Sequence, residues 1–148
     1  QVISLSGDGG FAMLMGDLIT LKQMKLPVKV VIFNNSVLGF VALEMKAAGF
    51  IETGVDLKNP DFAAMARAMG IHGVRVEDPG ELEGAIRDVL AHDGPAVLDV
   101  VTATQELSMP PTITLEQVKG FSLWVLRAVM SGRGDEVVDL AKTNLLPR

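Results

Sequence analysis

The fold of this chain is decided by the stretch VISLSGDGGF at residues 2–11. Its first four residues are mostly apolar and predict a strand, and Gly7-Asp8-Gly9-Gly10 predicts a turn. From Phe11 to about Met24 the apolar residues recur with helical spacing. The stretch therefore predicts a strand, a glycine turn and a helix in direct succession.

The residues that follow repeat this alternation. Leu26-Pro27 ends the helix, and residues 28–33 read VKVVIF, a β-branched run typical of a strand covered on both faces. Further patterns predict helices at about 38–48, 62–69 and 79–91, and strands at 73–76 and 96–101. Because helices that alternate with strands join parallel strands, the predicted fold class is α/β, with a mostly parallel sheet flanked by helices.

The chain is predicted to divide into a body, residues 1–107, and a helical tail, residues 108–148. Pro110-Pro111 interrupts regular structure, and the patterns beyond it are helical only, at about 115–130 and 135–145. The chain begins with Gln1, and residues 1–5 resemble a strand already under way. We therefore expect an N-terminally incomplete body, the C-terminal piece of a longer protein.

Composition excludes several classes of function. The chain has 148 residues, 49% of them hydrophobic, which is enough for one sizeable core. A net charge of −5 disfavours nucleic acid as a partner. The absence of cysteine excludes disulfides and thiolate-bound metals from this segment.

Two short motifs together predict a site for magnesium and a diphosphate. Gly7-Asp8-Gly9 follows the first predicted strand, Asn34-Asn35 follows the second, and the 24 residues 10–33 between them hold one helix and one strand. Either motif alone is typical of an ordinary turn. Parallel strands end at the same edge of a sheet, however, so the Asp8 carboxylate and the Asn35 amide should converge there as oxygen ligands. Backbone N–H groups at Gly9 and Gly10 would face the diphosphate.

This pairing at this spacing resembles the signature of thiamine-diphosphate enzymes. The likeness extends into the flanks and the tail, where the chain is similar to the bacterial pyruvate dehydrogenase (quinone), or pyruvate oxidase, family. The similar segments are residues 7–11, 13–17, 23–29, 33–40, 119–123 and 131–137.

The resemblance implies a ligand set. Magnesium would be bound by Asp8, Asn35 and the backbone carbonyl of Val37. The thiamine diphosphate would lie along Asp8, Gly9, Gly10, Asn35, Ser36, Val37, Leu38, Gly39 and Phe40.

The resemblance also implies a reaction and partners. Pyruvate would be oxidised to acetate and CO₂, with electrons passing through FAD, bound mainly outside this segment, to a membrane quinone such as ubiquinone. The family forms homotetramers in the cytoplasm, peripheral to the inner face of the cell membrane. The activating glutamate lies outside this chain, so the isolated fragment should be inactive.

Phe40 and Glu44 are candidate catalytic residues. They are four apart on a predicted helix and so share one face beyond the metal site. In similar enzymes the matching aromatic lies between the thiamine intermediate and flavin; the alternative for Phe40 is core packing. Glu44 would position substrate or water; its alternatives are a solvated helix face or pairing with Lys46.

The tail carries a wide apolar stripe. Its members recur at helical spacing, and they are Leu115, Val118, Phe121, Val125 and Val129, broadened by Trp124 and Ala128. The stripe could dock on the body or on another subunit. The resemblance favours conditional binding to a lipid bilayer surface, which Trp124 and the near-neutral charge of the tail would suit.

Two other classes of function stay open. One is a different thiamine-diphosphate enzyme, acetolactate-synthase-like or a non-oxidative 2-oxoacid decarboxylase. The other is a non-catalytic lipid- or protein-binding module with a degenerate motif. His72 and His92 are too poorly accompanied to predict a metal site, and the methionines at 13, 15, 24, 65 and 69 are most simply core filling.

Overall fold

The computed structural model describes residues 1–106 and 113–145. In chain order its elements are β1 (Val2–Gly7), α1 (Asp8–Leu14), α2 (Leu18–Gln23), β2 (Val28–Asn34), α3 (Gly39–Ala47), α4 (Phe62–Ala68), β3 (His72–Val76), α5 (Leu82–Ala91), β4 (Ala96–Val101), α6 (Leu115–Met130) and α7 (Gly134–Leu145).

The strands form one parallel sheet in the order β1-β2-β4-β3, which confirms the predicted α/β fold class. The two faces of the sheet carry separate apolar cores, and successive residues of β4 alternate between them. Val97 packs in one core with Phe11, Ile32 and Phe62. Ala96 and Leu98 pack in the other with helix α5. Strand β4 is therefore covered on both sides, as its continuous apolarity predicts, whereas β1 is largely exposed.

The first predicted helix is interrupted. A single helix was expected from Phe11 to about Met24, but α1 ends at Leu14, a 3-10 turn spans Met15–Asp17, and α2 follows. Gly16 lies inside this turn, and glycine costs about 1 kcal/mol relative to alanine in a helix interior. The weak position lets the chain tighten there and bury Leu18.

The described residues separate into two compact units. The first unit comprises residues 1–36 and 58–102 and contains the sheet. The second comprises residues 37–57 together with residues 103–106 and 113–145. The predicted boundary at 107/108 lies outside the described residues, so it stays a prediction.

In the second unit, α6 packs on α3 and α7. The helix bounds at 115–130 were predicted correctly, and Thr114 and Gln117 form a reciprocal capping box at its start. The apolar stripe, however, is split between two faces. Trp124 and Ala128 are buried with Phe121 and Val125 alongside, whereas the remaining members are exposed, namely Leu115, Val118 and Val129.

A buried polar network stabilises this second unit. Glu52 accepts a hydrogen bond from the Trp124 indole N–H at 2.7 Å. It also forms an ion pair with Lys46, whose Nζ lies 3.2 Å from Glu52 Oε1. Lys46 also lies over the Trp124 ring, 4.9 Å from its centroid. Burial alone would raise the pKa of Glu52, but a backbone hydrogen bond, the indole and Lys46 together lower it below its usual value. The indole that was expected to suit a membrane interface is thus fully buried here.

Candidate cofactor site

Asp8 is the centre of the predicted site, and it opens α1 with only 3% of its surface exposed. Its Oδ1 accepts a hydrogen bond from the Gly9 N–H at 2.9 Å, and its Oδ2 accepts one from the Ser36 N–H at 2.7 Å. Ser36 follows the end of β2, so the second bond joins the ends of two neighbouring strands. Asp8 therefore contacts the residue that directly follows the Asn34-Asn35 motif.

The turn after β2 has the geometry that makes this contact. Ser36 has φ 58°, a left-handed conformation that is uncommon outside glycine. In this turn the Ser36 N–H points at Asp8 Oδ2. Asn35, the predicted metal ligand, is half-buried in the same turn. Its role in binding metal stays a prediction.

Gly9 and Gly10 lie in the first turn of α1. A Cβ added to Gly10 would meet no atom within 4 Å among the described residues beyond its own helical turn. Packing within the described part of the chain therefore does not demand glycine at this position. The open space fits the close approach of a bound group to the backbone, as the prediction requires.

The other predicted cofactor residues belong to the second unit. Val37 is buried and forms an isolated antiparallel bridge with Asp56, and the Leu38 N–H donates to the Val55 carbonyl at 2.9 Å. Gly39 and Phe40 open α3. Their contribution to cofactor binding stays a prediction, as does that of Leu38.

For the two candidate catalytic residues the structure removes some alternatives. Phe40 is 72% exposed, so core packing within this chain is the wrong explanation for it. Glu44 is exposed on the same helix, and the alternative that it pairs with Lys46 is also wrong, because Lys46 is buried against Glu52. Both catalytic assignments stay predictions.

Sequence reasoning missed Asn59 and Asp99. The Asn59 Nδ2 donates to Asp8 Oδ2 at 2.7 Å and to Asn34 Oδ1 at 2.9 Å. Asp99, fully buried on β4, accepts from Asn34 Nδ2 at 2.9 Å and from Arg75 Nη1 at 2.7 Å. Only the charge of Asp99 inside an otherwise apolar strand was a signal in the sequence. Asn59 lies in a loop, where strand-end logic gives no placement.

His72 and His92 lie near the amino ends of β3 and β4, whereas Asp8 follows the carboxyl end of β1. Their rings stack with centroids 4.6 Å apart, and His72 Nε2 lies 2.7 Å from Asp88 Oδ2. Burial, followed by repulsion from His72 and Lys29, lowers the pKa of His92. Across the described ranges no three His, Asp or Glu side chains converge as a metal site.

The donor set around Asp8 fits a cation. The three donors to its carboxylate in the described part of the chain, the Gly9 N–H, the Ser36 N–H and the Asn59 amide, are all neutral. A buried carboxylate is costly unless its charge is balanced, and a carboxylate offers about four acceptor positions. One acceptor position and one uncompensated charge thus remain for a hard cation such as Mg²⁺, whose other ligands would be amide, carbonyl and phosphate oxygens.

Residues 1–100 match the family described as thiamine pyrophosphate enzyme, C-terminal TPP binding domain. The chain belongs to this family. Among its relatives is the Bacillus subtilis protein YdaP, named as a thiamine pyrophosphate-containing protein, which is 39% identical over 97% of this chain. The mitochondrial acetolactate synthase catalytic subunit of Aspergillus candidus is 36% identical over 68% of this chain.

A solved structure gives the same fold. The benzoylformate decarboxylase of Polynucleobacter necessarius superposes with a TM-score of 0.67 and 29% identity over 74% of this chain. The chain spans 25% of YdaP, 15% of the synthase subunit and 20% of the decarboxylase. Residues 1–100 are therefore a C-terminal TPP binding domain of this family, and the chain corresponds to a quarter or less of the length of these relatives.

In the described ranges, no helix is long and apolar enough to cross a membrane.

Proposed function

We propose that this domain belongs to an enzyme that oxidatively decarboxylates pyruvate with thiamine diphosphate, Mg²⁺ and FAD and reduces a membrane quinone. The observation that carries the cofactor part is the contact between Asp8 Oδ2 and the Ser36 N–H. That contact brings the two halves of the diphosphate motif to one edge of a parallel sheet. Bound thiamine diphosphate supplies the carbanion chemistry of the decarboxylation.

The residues of this domain bind and orient the cofactor. Asp8 and Asn35, with the Val37 carbonyl, would hold the Mg²⁺ that neutralises the diphosphate. Residues 9–10 and 36–40 would border the rest of the group. Phe40 and Glu44 would face the reacting atoms, Phe40 towards the flavin and Glu44 towards substrate or water.

The reaction is proposed in balanced form. Pyruvate, water and quinone would give acetate, CO₂ and quinol, a two-electron oxidation for which bound FAD would be the electron carrier. Support for pyruvate, FAD and quinone comes from the resemblance in the flanks and the tail. The match to YdaP takes in 97% of the chain and so includes the tail, but that relative is named only for thiamine pyrophosphate. The acetolactate synthase match stops at 68%.

A second candidate is a carboligase or non-oxidative decarboxylase of the same family. It is favoured by the relatives that are named acetolactate synthases and by the benzoylformate decarboxylase structure. These enzymes would share the Asp8 site, so the products separate the two candidates. A non-catalytic module is disfavoured by the intact donor set around Asp8.

The proposal is tested with the complete protein, supplied with thiamine diphosphate, Mg²⁺, FAD, pyruvate and a water-soluble quinone. We expect acetate and quinol in equal amounts. The Glu44→Gln variant should lower kcat by about 10²-fold or more, because a positioned carboxyl contributes about that factor. Glu83→Gln, which removes an exposed carboxylate from α5, is the matched control and should leave kcat unchanged.

Each other outcome has a definite meaning. Acetolactate or acetaldehyde without quinone reduction would identify the second candidate. Turnover by Glu44→Gln at the rate of Glu83→Gln would remove Glu44 from the active site. If the complete protein does not bind thiamine diphosphate, the proposed function is wrong.

We further propose that the enzyme associates with an anionic lipid surface from the cytoplasmic side, as part of a homotetramer. The support is a second apolar face on α6, distinct from the one that packs around Trp124. Its members are exposed at helical spacing and are Leu115, Val118, Leu126, Val129 and Met130. Lys119 lies beside them and would favour anionic headgroups.

Lipid binding is tested by replacing two residues of this face, Val118→Ser and Leu126→Ser together. Each loses apolar area that would be removed from water at a membrane. We expect co-sedimentation of the complete protein with phosphatidylglycerol vesicles to fall at least 10-fold. Ile86→Ser, an exposed apolar residue of α5, is the control. Undiminished sedimentation of the double variant would exclude this face as the lipid contact.

A further inference from the structure

A continuous chain of hydrogen bonds lies behind the metal ligand Asp8. It runs from Arg75 through Asp99 to Asn34, then through Asn59 to Asp8 Oδ2, with no step longer than 2.9 Å. All five residues belong to the first unit. They come from β3, β4, β2, the loop before α4 and the start of α1, so this series of hydrogen bonds crosses the sheet.

The chemistry of the two carboxylates determines which way each amide in this chain points. Asp99 cannot donate when ionised, so Asn34 must present its NH₂ group to Asp99 and its oxygen to Asn59. Asp8 likewise requires the NH₂ group of Asn59. One Asn59 N–H then faces Asp8 and the other faces Asn34, which is the arrangement in the structure. Asp8 and Asn34 therefore each independently require the same orientation of the Asn59 amide.

We propose that Asn59 is a positioning residue of the cofactor site, which orients the Asp8 carboxylate for the cation. With the Ser36 N–H it occupies both acceptor positions of Oδ2, so Oδ1 is the oxygen with capacity left for a metal. Residues that orient metal ligands in this way typically contribute 10–100-fold to metal affinity. The inference rests on the proposed magnesium–diphosphate site at Asp8.

Asp99 anchors the far end of the same chain. It is fully buried, and besides Asn34 it accepts from the Phe62 N–H at 3.2 Å and from Arg75. The Arg75 guanidinium supplies the opposite charge that a buried carboxylate needs. Asp99 is therefore already neutralised within the unit, whereas Asp8 meets neutral donors, and the free negative charge of the network lies at the predicted metal site.

A purely structural role for Asn59 gives a different expectation. Asn59 precedes Pro60 and the N-cap residue Asp61, whose Oδ1 accepts the Ala64 N–H at 2.7 Å at the start of α4. Were Asn59 only part of this helix entry, its loss would lower stability and leave metal affinity unchanged. Asp61→Ala is the matched control, since loss of an N-cap lowers the stability of the helix without touching Asp8.

The experiment measures two quantities on the complete protein for Asn59→Ala, Asp61→Ala and the parent protein. One is the dissociation constant of Mn²⁺ in the presence of thiamine diphosphate, from the free-metal electron paramagnetic resonance signal. The other is the midpoint of thermal unfolding without metal or cofactor. We expect Asn59→Ala to weaken Mn²⁺ binding 10–100-fold, and Asp61→Ala to lower the midpoint without weakening Mn²⁺ binding.

The outcomes separate this inference from the proposed function. Parent protein that binds no Mn²⁺ with thiamine diphosphate would overturn the proposed site itself. Parent protein that binds, with Asn59→Ala binding equally well, would overturn only the role of Asn59. Should Asn59→Ala not fold, Asn59→Ser replaces it. Serine keeps a polar group, but its side chain is too short to reach both Asp8 Oδ2 and Asn34 Oδ1. The same weakening of Mn²⁺ binding is expected.

Discussion

Asp8→Ala is expected to abolish magnesium-dependent binding of thiamine diphosphate by the complete protein. Asp8 is the carboxylate predicted to contact the cation directly. Its removal should therefore weaken binding by more than the 10–100-fold in metal affinity that residues supporting a metal ligand contribute. We expect the dissociation constant of thiamine diphosphate to rise by more than about 100-fold, which corresponds to roughly 2.7 kcal/mol. Isothermal titration calorimetry in saturating Mg²⁺ measures this constant.

Asp17→Ala is the matched control for this variant. It removes the same charge from an exposed position in the 3-10 turn that follows α1. Any general effect of net charge on binding of an anionic cofactor would appear in both variants. Equal affinity of Asp8→Ala and Asp17→Ala would contradict the assignment of Asp8.

The convergence of the two motifs was predictable because it depends only on the order and direction of strands. Once β1 and β2 are parallel neighbours, Gly7 pairs with Phe33, and the residues after each must lie side by side. That inference needs no knowledge of side-chain packing. It therefore extends from the sequence to the contact between Asp8 and Ser36.

Asn59 could not be placed in the same way. Its position depends on how the loop after residue 57 returns to the sheet, and such loops carry no periodic pattern. The direction in which the amide groups of Asn34 and Asn59 point also depends on Asp99, which is 40 residues after Asn59 in the sequence. Long-range hydrogen bonds of this kind have no signature in a single sequence.

The orientation of α6 was predicted only in part for a related reason. The helix is apolar around most of its circumference, so spacing alone does not determine which side is buried. Packing in the second unit selects the side of Trp124 and Ala128, where Glu52 satisfies the indole N–H. The side with Leu115 and Val129 remains exposed.

A second large effect is expected for Gly120→Ala, in the middle of α6. At an ordinary helix position this substitution stabilises by about 1 kcal/mol, because alanine has the higher helix propensity. At Gly120, however, an added Cβ would lie 1.9 Å from the Ala47 carbonyl oxygen and 2.8 Å from its carbon. Both are backbone atoms of α3, so no side-chain rotation relieves the clash. We expect destabilisation of the second unit by about 1–3 kcal/mol or more, the usual cost of overpacking.

Amide hydrogen exchange of the complete protein, followed by mass spectrometry on peptides from α3 and α6, measures this change locally. Gly134→Ala at the start of α7 is the control, since its added Cβ would meet only one side-chain atom, Val129 Cγ2, at 4.0 Å. Faster exchange in α3 and α6 is expected for Gly120→Ala alone. Were exchange to slow in both variants, helix propensity would outweigh contact, and the close approach of α6 to α3 would be wrong. The sign of the effect therefore decides whether the absence of a side chain at residue 120 is what lets these two helices meet.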